Sequence, residues 1–224
     1  MIPRALSDAK ASDDCAILCN GPTLAQVPLA GIPCDTIGLN RSWELHASTY
    51  HCMLDPEHWQ AYERITGRPA SSIARLIVGA CAEAPASAQK VVLLDDALYG
   101  IFGSGGIPRW CDYVFEDWLK HSPRAYACGC VTYFALQIAV ALGYSTIYLI
   151  GLDQRNEHDD RGKFYASSPT PAHVFARQRE LFGYVQGLID CDRIPAEIIN
   201  VELYEDASAC RAFPRTTFAE AFGA

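Results

Sequence analysis

Cys15-Ala16-Ile17-Leu18-Cys19-Asn20-Gly21-Pro22-Thr23-Leu24 is an apolar run that ends abruptly in Asn-Gly-Pro-Thr, and the fold depends on how it is read. Small and branched apolar residues bounded by a turn dipeptide read as a strand buried on both faces. Gly21 lets the backbone pass close to a ligand, and Pro22 sets φ at the entry to the next element. Thr23 is then placed to cap a short helix whose free N–H groups point back at the strand's carboxyl end. In an open α/β sheet that crevice receives nucleotides and phosphates. The plainer alternative is an ordinary strand-to-helix turn.

Further short apolar runs extend the pattern. Strands are expected at Cys15–Cys19, Thr36–Leu39, Tyr50–Leu54, Leu76–Val78, Val91–Leu94, Ile147–Ile150 and Ile198–Val201. Helical periodicity falls between them, at Pro56–Ile65, Trp110–Lys120, Cys130–Leu142 and Pro171–Ile189. This alternation predicts one α/β domain over residues 1–224, a Rossmann-like, mostly parallel doubly wound sheet with a small helical or loop insertion. Two stretches resist it: the Gly-rich, aromatic segment around 99–123, expected to be a lid or acceptor-sensing insertion, and a flexible loop at 154–171. The apolar stretch Tyr126–Leu152 is broken by Gln137 and by Gly143-Tyr144-Ser145-Thr146, too early for a membrane span. It reads as a buried helix followed by a buried strand.

Composition narrows the function. The chain carries 18 Lys and Arg against 26 Asp and Glu, a formal charge of −8, which argues against a nucleic-acid surface. Its ten cysteines form no CxxC pair, and several lie in apolar runs where a thiol behaves as a small hydrophobe. With no apolar leader at Met1–Ser7, free thiols in a cytoplasmic protein are expected, and no metal site.

The opening motif gains weight from three more segments: Cys34-Asp35-Thr36-Ile37-Gly38-Leu39-Asn40-Arg41, Ala139 through Ile150-Gly151-Leu152-Asp153, and Ala212-Phe213-Pro214-Arg215-Thr216-Thr217-Phe218. Their order resembles the bacterial lipooligosaccharide sialyltransferases and a related group that includes motility-associated glycosyltransferases, phage-encoded proteins and a pterin pyrophosphokinase. The resemblance covers about residues 14–55 and 128–220. It implies a nucleotide-sugar fold, with Asn20 beside the donor phosphate, Gly21, Pro22 and Thr23 in the turn, and Asn40 closing the second strand. Asp55 stands where the sialyltransferases carry Asn, and fits the related group better. Gly129-Cys130-Val131-Thr132 replaces their Thr-Ser-Gly, so backbone at Gly129 and the Thr132 hydroxyl would hold base and ribose. Arg155 and Tyr165 correspond to two tyrosines on the donor phosphate.

The residues themselves suggest roles. Arg155, Lys163 and Tyr165 form a donor set for a departing phosphate. His173, at the start of a long helix, is the candidate general base, with His158 as its rival and a solvent-facing helix-start His as the plain alternative. Asp153, at the end of a buried strand, is either a site residue or a cap. Glycosyl transfer from a nucleotide donor such as a CMP-sugar to a glycan or other hydroxyl acceptor is the leading expectation, with no required cofactor. Magnesium-dependent diphosphate transfer to a small hydroxymethyl, pterin-like compound is the alternative if Asp55 and Asp153 converge. A non-catalytic nucleotide-binding accessory protein is the third. Nucleic acid is not an expected partner, no membrane span is expected, and homo-oligomerisation is left open.

Overall fold

A computed structural model describes residues 10–79, 84–93, 124–125, 130–154, 164, 170–204 and 207–223, those at 91–93 and 124–125 by backbone alone. Among them, nine strands form one sheet in the order β6-β5-β4-β3-β2-β1-β7-β8-β9. These are β1 (Asp14–Leu18), β2 (Asp35–Leu39), β3 (Tyr50–Met53), β4 (Leu76–Gly79), β5 (Gln89–Leu93), β6 (Arg124–Ala125), β7 (Thr146–Ile150), β8 (Glu197–Glu202) and β9 (Arg215–Thr217). Every paired neighbour is parallel. The α/β, Rossmann-like expectation is met.

All seven expected strands are present, shifted by one or two residues at their ends. The helices α1 (Pro56–Thr66), α2 (Val131–Ala141) and α3 (Ala172–Asp190) also lie where the periodicity put them, and α4 (Phe218–Phe222) is additional. The expected helix Trp110–Lys120 and the insertion at 99–123 fall outside the described residues, as does most of 154–171. Among the described residues no helix is long and apolar enough to cross a membrane.

Alternation along each strand sorts the core into two faces. Cys15, Ile17, Ile147, Leu149 and Ile198 pack with α2 and with Leu181, Phe182, Val185 and Leu188 of α3. On the opposite face Ala16, Leu18, Ile150 and Val201 meet Leu24, Val27, Leu29 and Phe218. Farther along, Met53, Leu76 and Val78 pack on Trp59 of α1. Trp59 is therefore core, while Trp43 stands edge-on to Tyr62 at 5.0 Å. α2 is buried nearly all round, which explains why its sequence shows no polar stripe.

A buried carboxylate closes the amino edge of the sheet. Asp35, at the start of β2, accepts from the backbone N–H groups of Ala11 (2.8 Å) and Ser12 (3.2 Å) and from the Tyr144 hydroxyl (2.9 Å), all at Oδ2. One side chain thus ties the segment entering β1 to the starts of β2 and β7. Burial, and then the bond to Asp35, push the Tyr144 phenol far above its ordinary range. Replacing Asp35→Ala strands a buried hydroxyl and removes three charge-assisted bonds. We expect a loss of about 3 kcal/mol, against about 1 kcal/mol for Tyr144→Phe, both read as shifts of the urea unfolding midpoint.

Candidate functional site

The strand order reverses between β1 and β7, which is where a crevice opens at the carboxyl edge of a doubly wound sheet. The β1–β7 ladder runs on past both strands: Cys19 N–H donates to Ile150 O and Gly21 N–H to Gly151 O, each at 2.8 Å. Asp153 comes next, buried, with its carboxylate turned onto the β1 turn. Its Oδ2 accepts from Thr23 N–H (2.8 Å) and its Oδ1 from the Thr23 hydroxyl (2.5 Å).

That arrangement corrects two readings of the opening motif. Thr23 does not cap the short 3-10 helix Pro22–Gln26; Gly21 is at the cap position with no side-chain bond, and Asp153 satisfies the helix from across the sheet. The helix N-terminus is therefore occupied by the protein's own carboxylate. Gly21 is also explained from inside: a Cβ there would collide with Gly151 O and sit 2.5 Å from Asp153 Oδ2. Of the two roles open to Asp153, capping is the one its oxygens perform here.

Asn20 stands at the mouth of this crevice, half-buried. Its side-chain Oδ1 is enclosed and accepts no hydrogen bond among the described residues, while its backbone O accepts from Phe164 N–H at 3.0 Å. Thr132 lies in the first turn of α2, buried, with its hydroxyl 3.8 Å from Cys19 Sγ. Asn40 ends β2 in the left-handed region at φ 47. Its backbone N–H donates to Cys52 O at 3.0 Å, and its O accepts from His51 Nε2 at 2.8 Å. Asn20, Gly21, Pro22, Thr23, Asn40, Thr132 and Asp153 thus share the carboxyl edge of β2, β1 and β7.

The other expected residues are dispersed. Asp55 precedes α1 beyond β3, with its side chain 68% exposed. His173 is exposed in the first turn of α3. The next turn of that helix reaches the crevice: Gln154 Nε2 donates to Gln178 Oε1 (3.2 Å), and Arg179 Nη1 donates to Gln154 O (3.4 Å). Gly129, Arg155, His158, Lys163 and Tyr165 lie outside the described residues.

Sequence reading missed two buried imidazoles beside this edge. His51 packs over Gly38, where a Cβ would come within 2.5 Å of its Nδ1. His58 is buried on α1, with Nε2 3.6 Å from Glu57 Oε1 and 3.9 Å from Asp55 Oδ2. The signal was available for His58, since Asp55-Pro56 opens a helix and the residue one turn in faces back to the sheet. The seven described cysteines are free thiols. Burial pushes the Cys130 thiol up to about 11 and raises Cys19 further, so neither is a poised nucleophile. Among the described residues no group of three or more His, Cys, Asp or Glu is placed to hold a metal ion.

Compared with protein-family models, with curated proteins and with solved structures, the chain matches none.

This geometry is open to two tests. Burial holds His51 neutral and lowers its pKa to about 4, against an ordinary 6.5. Protonation therefore favours the unfolded chain. The stability that neutral His51 carries is whole above pH ~6.5 and is lost as pH falls toward 4, roughly 3 kcal/mol across the window. Urea unfolding followed between pH 7 and 4.5 should show this slope, and His51→Gln should flatten it while keeping a donor to Asn40 O. Gly21→Ala should cost about 1–3 kcal/mol through the collision with Asp153 and Gly151, read as a lowered thermal midpoint.

Proposed function

We propose that this protein is a glycosyltransferase-like enzyme that moves a sugar from a nucleotide donor of the CMP-sugar type to a hydroxyl acceptor. The observation that carries the reading is Asn20, whose enclosed amide oxygen lacks a partner among the described residues at the point where the strand order reverses. Such an atom is the kind of group a bound ligand satisfies. The Asn20 amide oxygen accepts from a hydroxyl of the donor beside its phosphate, Thr132 and the first turn of α2 border the base and ribose, and Asn40 lines the β2 side. Asp153 does its work from behind, holding the turn that presents Asn20.

In this reading the bond between the sugar's anomeric carbon and the donor phosphate breaks as the acceptor oxygen attacks. The hydroxyl proton passes to His173, whose exposed ring is open to an incoming acceptor. Arg155, Lys163 and Tyr165 neutralise the departing phosphate. The diphosphate-transfer alternative needs two carboxylates on one magnesium ion. Asp55 and Asp153 come after β3 and β7, three inter-strand steps or about 14 Å apart, and both Asp153 oxygens face Thr23. Glycosyl transfer is therefore the reading we favour.

Thermal unfolding with CMP, CDP, UDP, GDP, ADP and ATP, each with and without magnesium, tests it. A nucleotide at ~100 times its dissociation constant should add about 2.7 kcal/mol. We expect a metal-independent shift with CMP that disappears in Asn20→Ala. A shift confined to ATP with magnesium would transfer the assignment to diphosphate transfer, and no shift with any nucleotide would remove the nucleotide site.

A further inference from the structure

Gln154, the residue after Asp153, is 5% exposed and has its backbone in the left-handed region at φ 52. Glutamine seldom takes that conformation, and a residue kept in it is over-determined by its surroundings. Asp153, just before it, is bound to Thr23 through its carboxylate and to Ala209 N–H through its O. The Gln154 side chain donates to Gln178, and its carbonyl accepts from Arg179 Nη1 at 3.4 Å. The left-handed turn thus anchors a guanidinium group at the end of β7.

Arg179 is half-buried on α3. Among the described residues that neutral carbonyl is its one hydrogen-bond partner, and no carboxylate is paired with it. The acids of this edge are engaged elsewhere: both oxygens of Asp153 face Thr23, and Glu202, at the end of β8, faces Arg211 and Arg215. A guanidinium carries its charge throughout the working pH range, and a partly desolvated charge without a counter-ion is costly. A carbonyl dipole offsets part of that cost and leaves the charge standing. Its position suits a ligand of the crevice. Burial raises the Cys210 thiol and the Arg179 charge opposes the rise, so the guanidinium stands near the turn that follows β8. Cys210 packs in one cluster with Cys130 and Cys19, the residues at the N-cap of α2 and just past the end of β1. Arg179 is therefore on the side of the sheet where α2 borders the crevice.

We propose that Arg179 binds an oxyanion in this crevice, and that the oxyanion is the phosphate of the nucleotide donor, an identification that rests on the function proposed above. None of the residues assigned there to the phosphate lies on α3. β7 and β1 are neighbours about 4.8 Å apart, so a phosphate beside Asn20 is one strand step from the point where Arg179 is anchored. A guanidinium held at Nη1 turns its remaining donors to an incoming oxyanion as a fork, the geometry that phosphate oxygens accept best. When the bond from the anomeric carbon to the phosphate oxygen breaks, its electron pair stays on that oxygen. The phosphate passes from a diester with one charge to a monoester with about two. A cation already fixed in place meets the added charge without reorganising.

Calorimetric titration of the whole protein with inorganic phosphate, cytidine and CMP, at constant ionic strength, tests this. Cytidine lacks the phosphate, so the ratio of its dissociation constant to that of CMP reads the phosphate contact alone. We expect Arg179→Gln to reduce that ratio by about tenfold or more, the loss of a charge-assisted bond, with cytidine affinity unchanged. A purely structural role would weaken cytidine and CMP alike and leave the ratio where it was. Arg179→Lys keeps the charge without the fork and should lose part of the preference; it carries the test if Arg179→Gln does not fold. Phosphate that binds the wild-type protein and is weakened by Arg179→Gln, with neither cytidine nor CMP binding, would uphold the oxyanion contact and remove the nucleotide reading. A CMP preference that survives both substitutions would uphold the nucleotide reading and overturn the contact. Phosphate binding indifferent to Arg179, with no binding of CMP, would overturn the proposal, as would the absence of binding by phosphate and CMP alike.

Discussion

Everything at the carboxyl edge hangs on the contact between the Asp153 carboxylate and Thr23. The sheet is built in two directions from β1: one set of strands runs outward through β2, and the other through β7. The β1–β7 ladder joins the halves, and Asp153 continues that joint beyond the last strand residues by holding the turn that leaves β1. The contact requires a residue without a Cβ at position 21. Its geometry fixes where the backbone of Asn20 ends and so where its amide is presented. The same Asp153 carries the other side of the edge through its own backbone, since its O accepts from Ala209 N–H at 2.7 Å. The segment after β8 is thereby drawn back over the end of β7.

The amino edge is fastened by a comparable device of opposite purpose. Asp35 gathers three donors from segments far apart in sequence, but it does so at the end of the sheet remote from the crevice. Lys10 adds a cap there, donating to Gly143 O at 2.8 Å while lying 5.1 Å from the centre of the Tyr144 ring. A scaffold closed in this way at one edge leaves the other free to vary in the side chains it presents.

Much of the fold was legible because parallel strands covered on both faces must be continuous apolar runs. β1, β2, β3, β4 and β7 announce themselves in this way. β6 and β9 do not, since strands of two and three residues at the sheet margins carry no periodicity to read. α4 had a signal that went unused: Thr217 and Glu220 form a reciprocal capping box, the pattern that marks a helix start. In the site, Asn20 and Asn40 were legible as the polar residues at which apolar runs stop. His51 and Arg179 were not, because each sits inside a strand or helix. Their meaning comes from neighbours remote in sequence: Gly38 and Asn40 for His51, and Gln154 for Arg179.

The distribution of charge along the edge bears on how an acidic chain could take the anionic donor we propose. A net charge of −8 would repel a nucleotide if it were spread over the crevice, yet the two buried acids nearest to it are both engaged. Asp153 is satisfied by backbone and hydroxyl donors, and Glu202 is covered by two guanidinium groups. The charge of Glu202 is compensated by the cations that face it, and over distances of a Debye length the rest of the surface is screened. What this edge presents to the proposed donor is therefore set by its local groups and not by the total. Asp55, exposed beyond β3, lies on the far side of β2 from the crevice, where its charge bears little on what β1 and β7 would hold.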